Sequence, residues 1–553
     1  MSRPARTLLP GPPPAVRRVR GNAAGGRAWL LAMAVIALPA VLPLAAVATG
    51  FWGPDGDVVA HLREHVLPRV AVNTAILVTG VVVGAGLLGT SLAWLVAVFD
   101  FPGRRLFSWA LLLPMAVPGY VMAFVYIGLL DYAGPVQSAL RDWLGEGAAL
   151  PPIRSTGGVI AVMTLTLYPY VYLIARNAFL TQGRRALEVG RSLGLSPARG
   201  FLRVALPMAR PWLAGGLLLV AMETLADFGT VAAFNYDTFT TAIYQAWFAM
   251  FSLDAALHLA AFLILPVLAV VALERRLRGG ARYTPTDARA GLLRLPGLRG
   301  WLAAAAAGGV LTVAFLLPFA QLLVWSLPSL AAVDVRFLEA TGNSLFLAAS
   351  GAVLIVAMAL LLSYAHRLRP GAAGSTLARV ATLGYALPGP VLAVGVFVPL
   401  ALLSNRLTGW LPADWGTISL QTTLATLLLA YAARFLAVGH TPVDASMQRI
   451  TPSLDDAAAS LGVTGLRRLA RIHLPMLKTG LLTGATLVFV DVMKEMPITL
   501  MTRPYGWDTL ATRVYEFTAE GQWERAALPG VALVLAGLLP VALLTLRADR
   551  RAV

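Results

Sequence analysis

Apolar runs of 18 or more residues recur along the whole of this 553-residue chain, and each is long enough to cross a hydrocarbon layer of about 30 Å as a helix. Only 13% of the residues are charged and 58% are hydrophobic, against roughly 25% charged in ordinary soluble domains. Such a chain belongs in lipid. The formal charge of +17 sits in the segments between apolar runs and forms no basic stripe interleaved with aromatics, which argues against nucleic acid as a partner. The absence of cysteine excludes disulfides, thiolate metal sites and cysteine nucleophiles.

Apolar length predicts an all-α polytopic membrane protein with about twelve spans, near 28–50, 70–98, 106–130, 157–179, 212–235, 255–273, 300–327, 343–365, 378–404, 417–438, 479–502 and 528–547. The first 27 residues hold six Arg and no acid. The apolar run that follows exceeds the 7–15 residues usual for a signal peptide and reads as an uncleaved first span. Arg-rich segments at the N-terminal arm, Arg176 to Arg210, Glu274 to Arg299 and the tail alternate with acid-bearing ones, so the positive-inside rule places both termini in the cytoplasm. The chain thus divides into a basic arm (1–27), a first half (28–273), a linker (274–299), a second half (300–547) and a tail (548–553).

The halves repeat each other. Asn73-Thr74 recurs as Asn343-Ser344 and Pro118-Gly119 as Pro388-Gly389, both 270 residues later. Parallel repeats of this kind place a pathway at the interface between the halves. The loops near 185–211 and 453–479 repeat as well: Glu188 precedes Gly194 by six residues and Gly194 precedes Pro207 by thirteen, and Asp456, Gly462 and Pro475 keep the same spacings. Each loop reads as a short helix stopped by a glycine, where positive φ carries little strain, then a second short helix ending at the proline. The small-residue faces (Val189, Gly190 and Leu193; Ala457, Ala458 and Leu461) suit a groove on a partner, and the acid suits a helix N-terminus.

These loops resemble the EAA motif of binding-protein-dependent ABC importer permeases. The triplet reads Glu188-Val189-Gly190 in the first loop, departing at two positions, and Asp456-Ala457-Ala458 in the second, departing at its acid. The segments Met222–Thr230, Asp491–Thr499 and Arg503–Tyr515 further resemble the fused permeases of ferric-iron importers. The resemblance implies the type I importer (MetI-like) fold in the inner membrane, with a dimeric ATPase beneath, a periplasmic ferric-binding protein above, and Glu188, Val189, Gly190, Gly194, Pro207, Asp456, Ala457, Ala458, Gly462 and Pro475 at the ATPase contact. It implies a permease and not an enzyme. No G-x-x-x-x-G-K-[ST] phosphate loop occurs, so ATP is expected on the partner, and this chain is expected to bind no cofactor.

Acids inside spans are costly and usually face a cavity or a partner. Glu223 and Asp227, like Asp491 and Glu495, are four residues apart, so each pair is expected to share a helix face. Hard oxygen donors suit a small, highly charged cation better than a vitamin or an oxyanion. On one reading the four line an iron pathway; on the other they cap broken helices or pair with Lys494 and nearby Arg. Thr238, Thr241 and Tyr244 recur as Thr509, Thr512 and Tyr515, either as docking residues for a binding protein or as shapers of re-entrant turns.

Other signals carry less. The glycines Gly84, Gly86 and Gly89 match a dinucleotide fingerprint but fall inside a span, where helix packing explains them. His61-Leu-Arg-Glu-His65 matches a zinc-protease pattern too short to weigh against a solvated helix. The rival readings are a fused permease for thiamine, an aminophosphonate or another small solute, and a proton-coupled secondary transporter, against which the duplicated elbows argue.

Overall fold

A computed structural model describes residues 23–52, 57–183, 190, 192, 194–277, 292–330, 333–410 and 417–549. Most of the basic arm, residues 278–291 of the linker, and the tail from 550 lie outside them. The first half comprises α1 (Ala23–Thr49), α2 (Leu67–Val98), α3 (Gly119–Leu130), α4 (Thr156–Ala178), α5 (Leu206–Ala226), α6 (Gly229–Ala233), α7 (Phe239–Phe248) and α8 (Leu253–Leu277). The second comprises α9 (Leu298–Leu311), α10 (Leu317–Leu330), α11 (Val335–Leu368), α12 (Gly389–Thr408), α13 (Leu424–Met447), α14 (Leu474–Lys494), α15 (Pro497–Thr502), α16 (Leu510–Ala519) and α17 (Trp523–Asp549). Among the described residues eleven helical stretches are long and apolar enough to cross a bilayer, and the twelfth predicted span lies within α17. Apolar side chains such as Leu31, Leu87 and Val353 face outward, as lipid contact requires.

Four predicted spans are not single helices: 212–235 and 479–502 break after Ala226 and Lys494, and the other two break at a proline. The run 106–130 consists of a short helix, Arg104–Ala110, a 3₁₀ turn, Leu113–Ala116, and then α3. The run 378–404 breaks in the same way before α12. In each, proline is the hinge: Pro118 (φ −59°, ψ 142°) and Pro388 (φ −57°, ψ 145°) are extended and carry no N–H to continue the ladder. Tyr120 through Leu129 of α3 are all buried, because elements of the second half enclose it.

Proline also explains the elbows' second helices, which do not end at Pro207 and Pro475. Four π-helical turns (Leu62–Val66, Phe201–Ala205, Thr312–Leu316 and Leu469–His473) each run directly into a Leu-Pro pair. A proline ring collides with the carbonyl four residues earlier, and a widened i→i+5 turn relieves the collision while keeping the chain helical. The elbow therefore runs unbroken into α5 or α14, with the proline in the first turn of each.

Each half is built on a helix triangle, α2, α4 and α5 or α11, α13 and α14. Gly89 permits the close α2–α4 contact: a Cβ there would lie 2.8 Å from the Tyr168 carbonyl oxygen. The outer helices cross between the halves. Helix α1 packs on α11 and α12, α8 packs on α12, and α10 and α17 pack on α3. A two-residue parallel ladder, Phe99–Asp100 with Leu293–Arg294, ties the end of the linker to the end of α2.

Candidate functional site

The two elbows close alike. Gly194 and Gly462 adopt φ of 74° and 73°, the left-handed stop that glycine tolerates. The Leu195 and Val463 amides donate back to the Gly190 and Ala458 carbonyls at 2.8 and 2.9 Å, closing each helix in a Schellman turn. Glu188 and Val189 lie outside the described residues. The small residues do not form one outward face, as the spacing alone suggests. Gly190 is buried, 3.5 Å from the Gly200 Cα to its would-be Cβ and so packed within its own elbow, and Ala458 is 2% exposed. The outward residues of the second elbow are Leu454, Asp456, Ala457, Leu461 and Gly462, with Leu466 beyond.

Both elbows lie at one end of the bundle. The N-terminal part of α1 meets the second elbow's neighbour through Trp29 and Tyr364 (5.3 Å). The far end of α1 meets the start of α8, where His258 contacts the Gly50 carbonyl at 2.8 Å. That is also the end where α2 begins, opposite the contact of Trp94 with Phe179 and Phe201 at the first elbow.

Between the halves lies a cavity of about 1080 Å³. It extends from Arg105, Ser108 and Arg176, toward the elbows, to Gly119, Asp227 and Thr230 at the helix breaks, with Tyr170, Glu223, Asp491 and Lys494 on its wall. Glu223 and Asp227 both line this cavity, as does Asp491 of the second pair, and the second acid of each pair stands at the end of its helix. Helix α5 ends at Ala226 and Asp227 is extended (φ −67°, ψ 130°); α14 ends at Lys494 and Glu495 is extended (φ −71°, ψ 116°). Each of these two acids caps the short helix that follows. Asp227 accepts from the Thr230 amide (2.9 Å), the Val231 amide (3.1 Å) and the Thr230 hydroxyl (2.8 Å). Glu495 accepts from the Ile498 amide at 2.9 Å and pairs with Arg434 at 3.3 Å. The capping alternative thus describes Asp227 and Glu495. Glu223 accepts from the Tyr385 hydroxyl of the other half at 3.2 Å. Asp491 makes no hydrogen bond or ion pair among the described residues. The Lys494 ammonium donates to the Met115 carbonyl across the interface at 3.1 Å.

The repeats mark one device built twice. A Cβ on Gly119 would meet Thr230 Oγ1 at 2.7 Å and Asp227 Oδ2 at 3.3 Å; one on Gly389 would meet Pro497 at 2.7 Å and Glu495 Oε1 at 3.4 Å. The Pro-Gly break of the third helix therefore rests against the acid-capped break of the fifth. Asn73 and Asn343 donate to the Asp237 and Asp508 carbonyls, both at 3.0 Å, and the Thr74 and Ser344 hydroxyls accept from the Phe239 and Leu510 amides. Thr238 with Thr241, and Thr509 with Thr512, form reciprocal caps on α7 and α16, so these threonines shape turns. Tyr244 and Tyr515 meet Phe228 at 5.2 and 5.7 Å and each other at 6.1 Å, an aromatic contact between the halves on the side of the breaks away from the elbows.

Tyr170, Tyr385, Arg434 and Met115 are site residues the sequence reading did not single out; Arg434 was marked by being a charge inside a span, whereas the other three read as ordinary span residues. His61 and His65 stack at 4.8 Å on an exposed helix, and among the described residues no cluster of His, Cys, Asp and Glu could hold a metal.

Residues 85–279 match the family described as binding-protein-dependent transport system inner membrane component. The chain is similar to the Fe(3+)-transport system permease protein FbpB 2 of Haemophilus influenzae, 28% identical over 490 residues, 86% of this chain and 90% of that one. A probable molybdenum ABC transporter permease of Haloferax volcanii is 27% identical over 42% of this chain and 84% of its own length. The sulfate transport system permease CysW of Escherichia coli is 35% identical over 26% of this chain and 48% of its own.

Proposed function

We propose that this chain, an inner-membrane component of a binding-protein-dependent transport system, supplies both halves of the permease of an ATP-driven importer and passes ferric iron through the cavity between them. The observation that carries the substrate is coverage. Similarity to the Fe(3+) permease runs through 86% of the chain and so through both halves, whereas the molybdenum and sulfate relatives above reach 42% at most. Glu223, Asp227 and Asp491 also line the cavity, separate hard oxygen donors that a small trivalent cation could meet in passage without being gathered into one metal site.

The helices suggest how force reaches that cavity. Each elbow runs without a break into α5 or α14, and each of these helices ends at an acid-capped break. At 1.5 Å per residue a 21-residue helix is about 30 Å long. An ATPase dimer closing beneath the elbows would therefore shift the breaks, with the aromatic contact of Phe228, Tyr244 and Tyr515 in their path. The Arg-rich segments support a cytoplasmic side for the elbows and both termini, and the similarity to binding-protein-dependent permeases supports ATP hydrolysis on a separate subunit and a solute-binding protein on the opposite face.

The test is ATP-dependent uptake of labelled ferric iron into proteoliposomes holding the full chain, its ATPase and its binding protein. Glu223→Gln and Asp491→Asn are each expected to lower uptake about tenfold at unchanged insertion, a loss of pathway stabilisation. Unchanged uptake in both would remove the acids from the pathway. One observation favours a second substrate: Arg105, Arg176 and Lys494 also line the cavity, as an oxyanion would require. Molybdate or sulfate uptake exceeding that of iron would decide for it.

A further inference from the structure

We propose that Asp455 is the positioning residue that couples the second elbow to the bundle, through a charged joint that the first half replaces with an apolar one. The proposal rests on the permease reading above. Asp455 lies in the elbow helix Pro452–Ser460, one residue before the acid of the triplet and facing inward. Its Oδ2 accepts from Arg367 Nε (2.9 Å) and pairs with Arg367 Nη2 (2.8 Å). Its Oδ1 lies 2.7 Å from His473 Nε2 and 3.7 Å from Arg468 Nε. Arg367, near the end of α11, also donates to the carbonyls of Met447, the last residue of α13, and Thr451. His473 is wholly buried in the π turn that leads into α14. One turn before Arg367, the Tyr364 hydroxyl donates to the Gly465 carbonyl at 2.8 Å, and its ring meets His473 edge-on. One carboxylate thus joins the elbow to the ends of α11, α13 and α14.

The pair is mostly out of water, Asp455 18% and Arg367 17% exposed. Burial alone would raise the Asp455 carboxyl; the hydrogen bonds from His473 and Arg367 and the charges of Arg367 and Arg468 outweigh it and hold the group below the ordinary aspartate range. A buried pair with further hydrogen bonds fixes geometry, and removing one partner leaves an uncompensated charge.

Among the described residues the first half does not repeat this cluster. At the 268-residue offset of the elbows Asp455 becomes Leu187, Arg468 becomes Gly200 and His473 becomes Ala205; at the 270-residue offset of α11 Arg367 becomes Ala97 and Tyr364 becomes Trp94. Trp94 instead packs on Phe179 at 5.1 Å and Phe201 at 4.6 Å. Apolar contacts are non-directional and allow one element to slide on another, while a bifurcated carboxylate holds its partners in one register. The second elbow should therefore carry α11, α13 and α14 as one body, and the first should yield.

The experiment measures solute taken up per ATP hydrolysed by the full chain with its ATPase and binding protein in proteoliposomes. Asp455→Asn keeps shape and loses charge; it is expected to leave hydrolysis within about twofold and to lower uptake per ATP about tenfold, in the usual range of a coupling free energy. Asp455→Glu should restore most of the ratio. Should Asp455→Asn not insert, Arg468→Gln, which removes only the 3.7 Å partner, is judged by the same ratio with about a threefold loss expected. An unchanged ratio overturns the joint, and so does a loss that Asp455→Glu fails to restore or a fall in hydrolysis and uptake together. A wild-type chain that never engages an ATPase would instead overturn the permease reading itself.

Discussion

The helix breaks at Asp227 and Glu495 have the same backbone and different electrostatics. Both acids follow a 21-residue helix, both cap a short helix, and both rest against a Pro-Gly turn. Yet Glu495 is 6% exposed and paired with Arg434, whereas Asp227 lines the cavity and is held only by Thr230 and backbone amides. The same contrast separates the elbows, closed by equivalent glycines but fastened by rings in one half and by ions in the other. The residues that shape the chain and the acids recur in both halves, whereas the cations Arg367, Arg434 and Arg468 fall opposite Ala97, Thr164 and Gly200, so two alike scaffolds differ in charge.

The strongest way to break this comparison is at the second break. Arg434→Leu strands the buried Glu495 charge and is expected to destabilise the protein by about 3–5 kcal/mol, read as a fall in the detergent-solubilised unfolding midpoint. Asp227 has no cation to lose. An Arg434→Leu protein as stable as wild type would mean that the ion pair is not what distinguishes the breaks. Next, Gly119→Ala and Gly389→Ala force a Cβ to 2.7 Å from Thr230 and Pro497 respectively. Overpacking of that kind costs about 1–3 kcal/mol, and if the scaffold is truly duplicated the two variants should lose similar amounts in the same assay. A smaller matched pair is Asn73→Ala and Asn343→Ala, each removing one clasp at about 1 kcal/mol; a large inequality between them would place asymmetry in the scaffold too.

Asp227→Asn sharpens the comparison from the other side. Asparagine caps nearly as well as aspartate, so stability should change by less than about 1 kcal/mol while iron uptake falls. The gentlest test is acid. A carboxyl whose folded value is depressed contributes stability that is present above its unfolded value, about 3.9, and is lost as pH falls through the folded one. Limited proteolysis at the second elbow should therefore rise on acidification below about pH 4, while the ring-fastened first elbow should hold.

Much of this was legible in the residues. Apolar length marked the spans and the glycine stops were readable from spacing, but the π turns were not, since Leu38-Pro39 and Leu265-Pro266 stay within α-helices without one. The Pro-Gly and Asn-Thr/Ser repeats were visible as recurrences, but their purpose was not, because each acts on a partner more than 100 residues away, as Asn73 does on Asp237. The helix ends at Asp227 and Glu495 escaped notice for a related reason: hydropathy averages over a window and passes through a single extended residue. Ala458 read as an outward contact because helical spacing specifies a face and not its direction.

By itself the sequence determined that this chain is all-α, crosses the membrane about twelve times and is written twice, since an apolar run, a proline and a glycine each constrain the backbone next to them. Only the tertiary structure decided which acids face the cavity, which are neutralised, and how each elbow is tied down, because those outcomes depend on groups brought within about 3 Å of one another by helices packing across the halves.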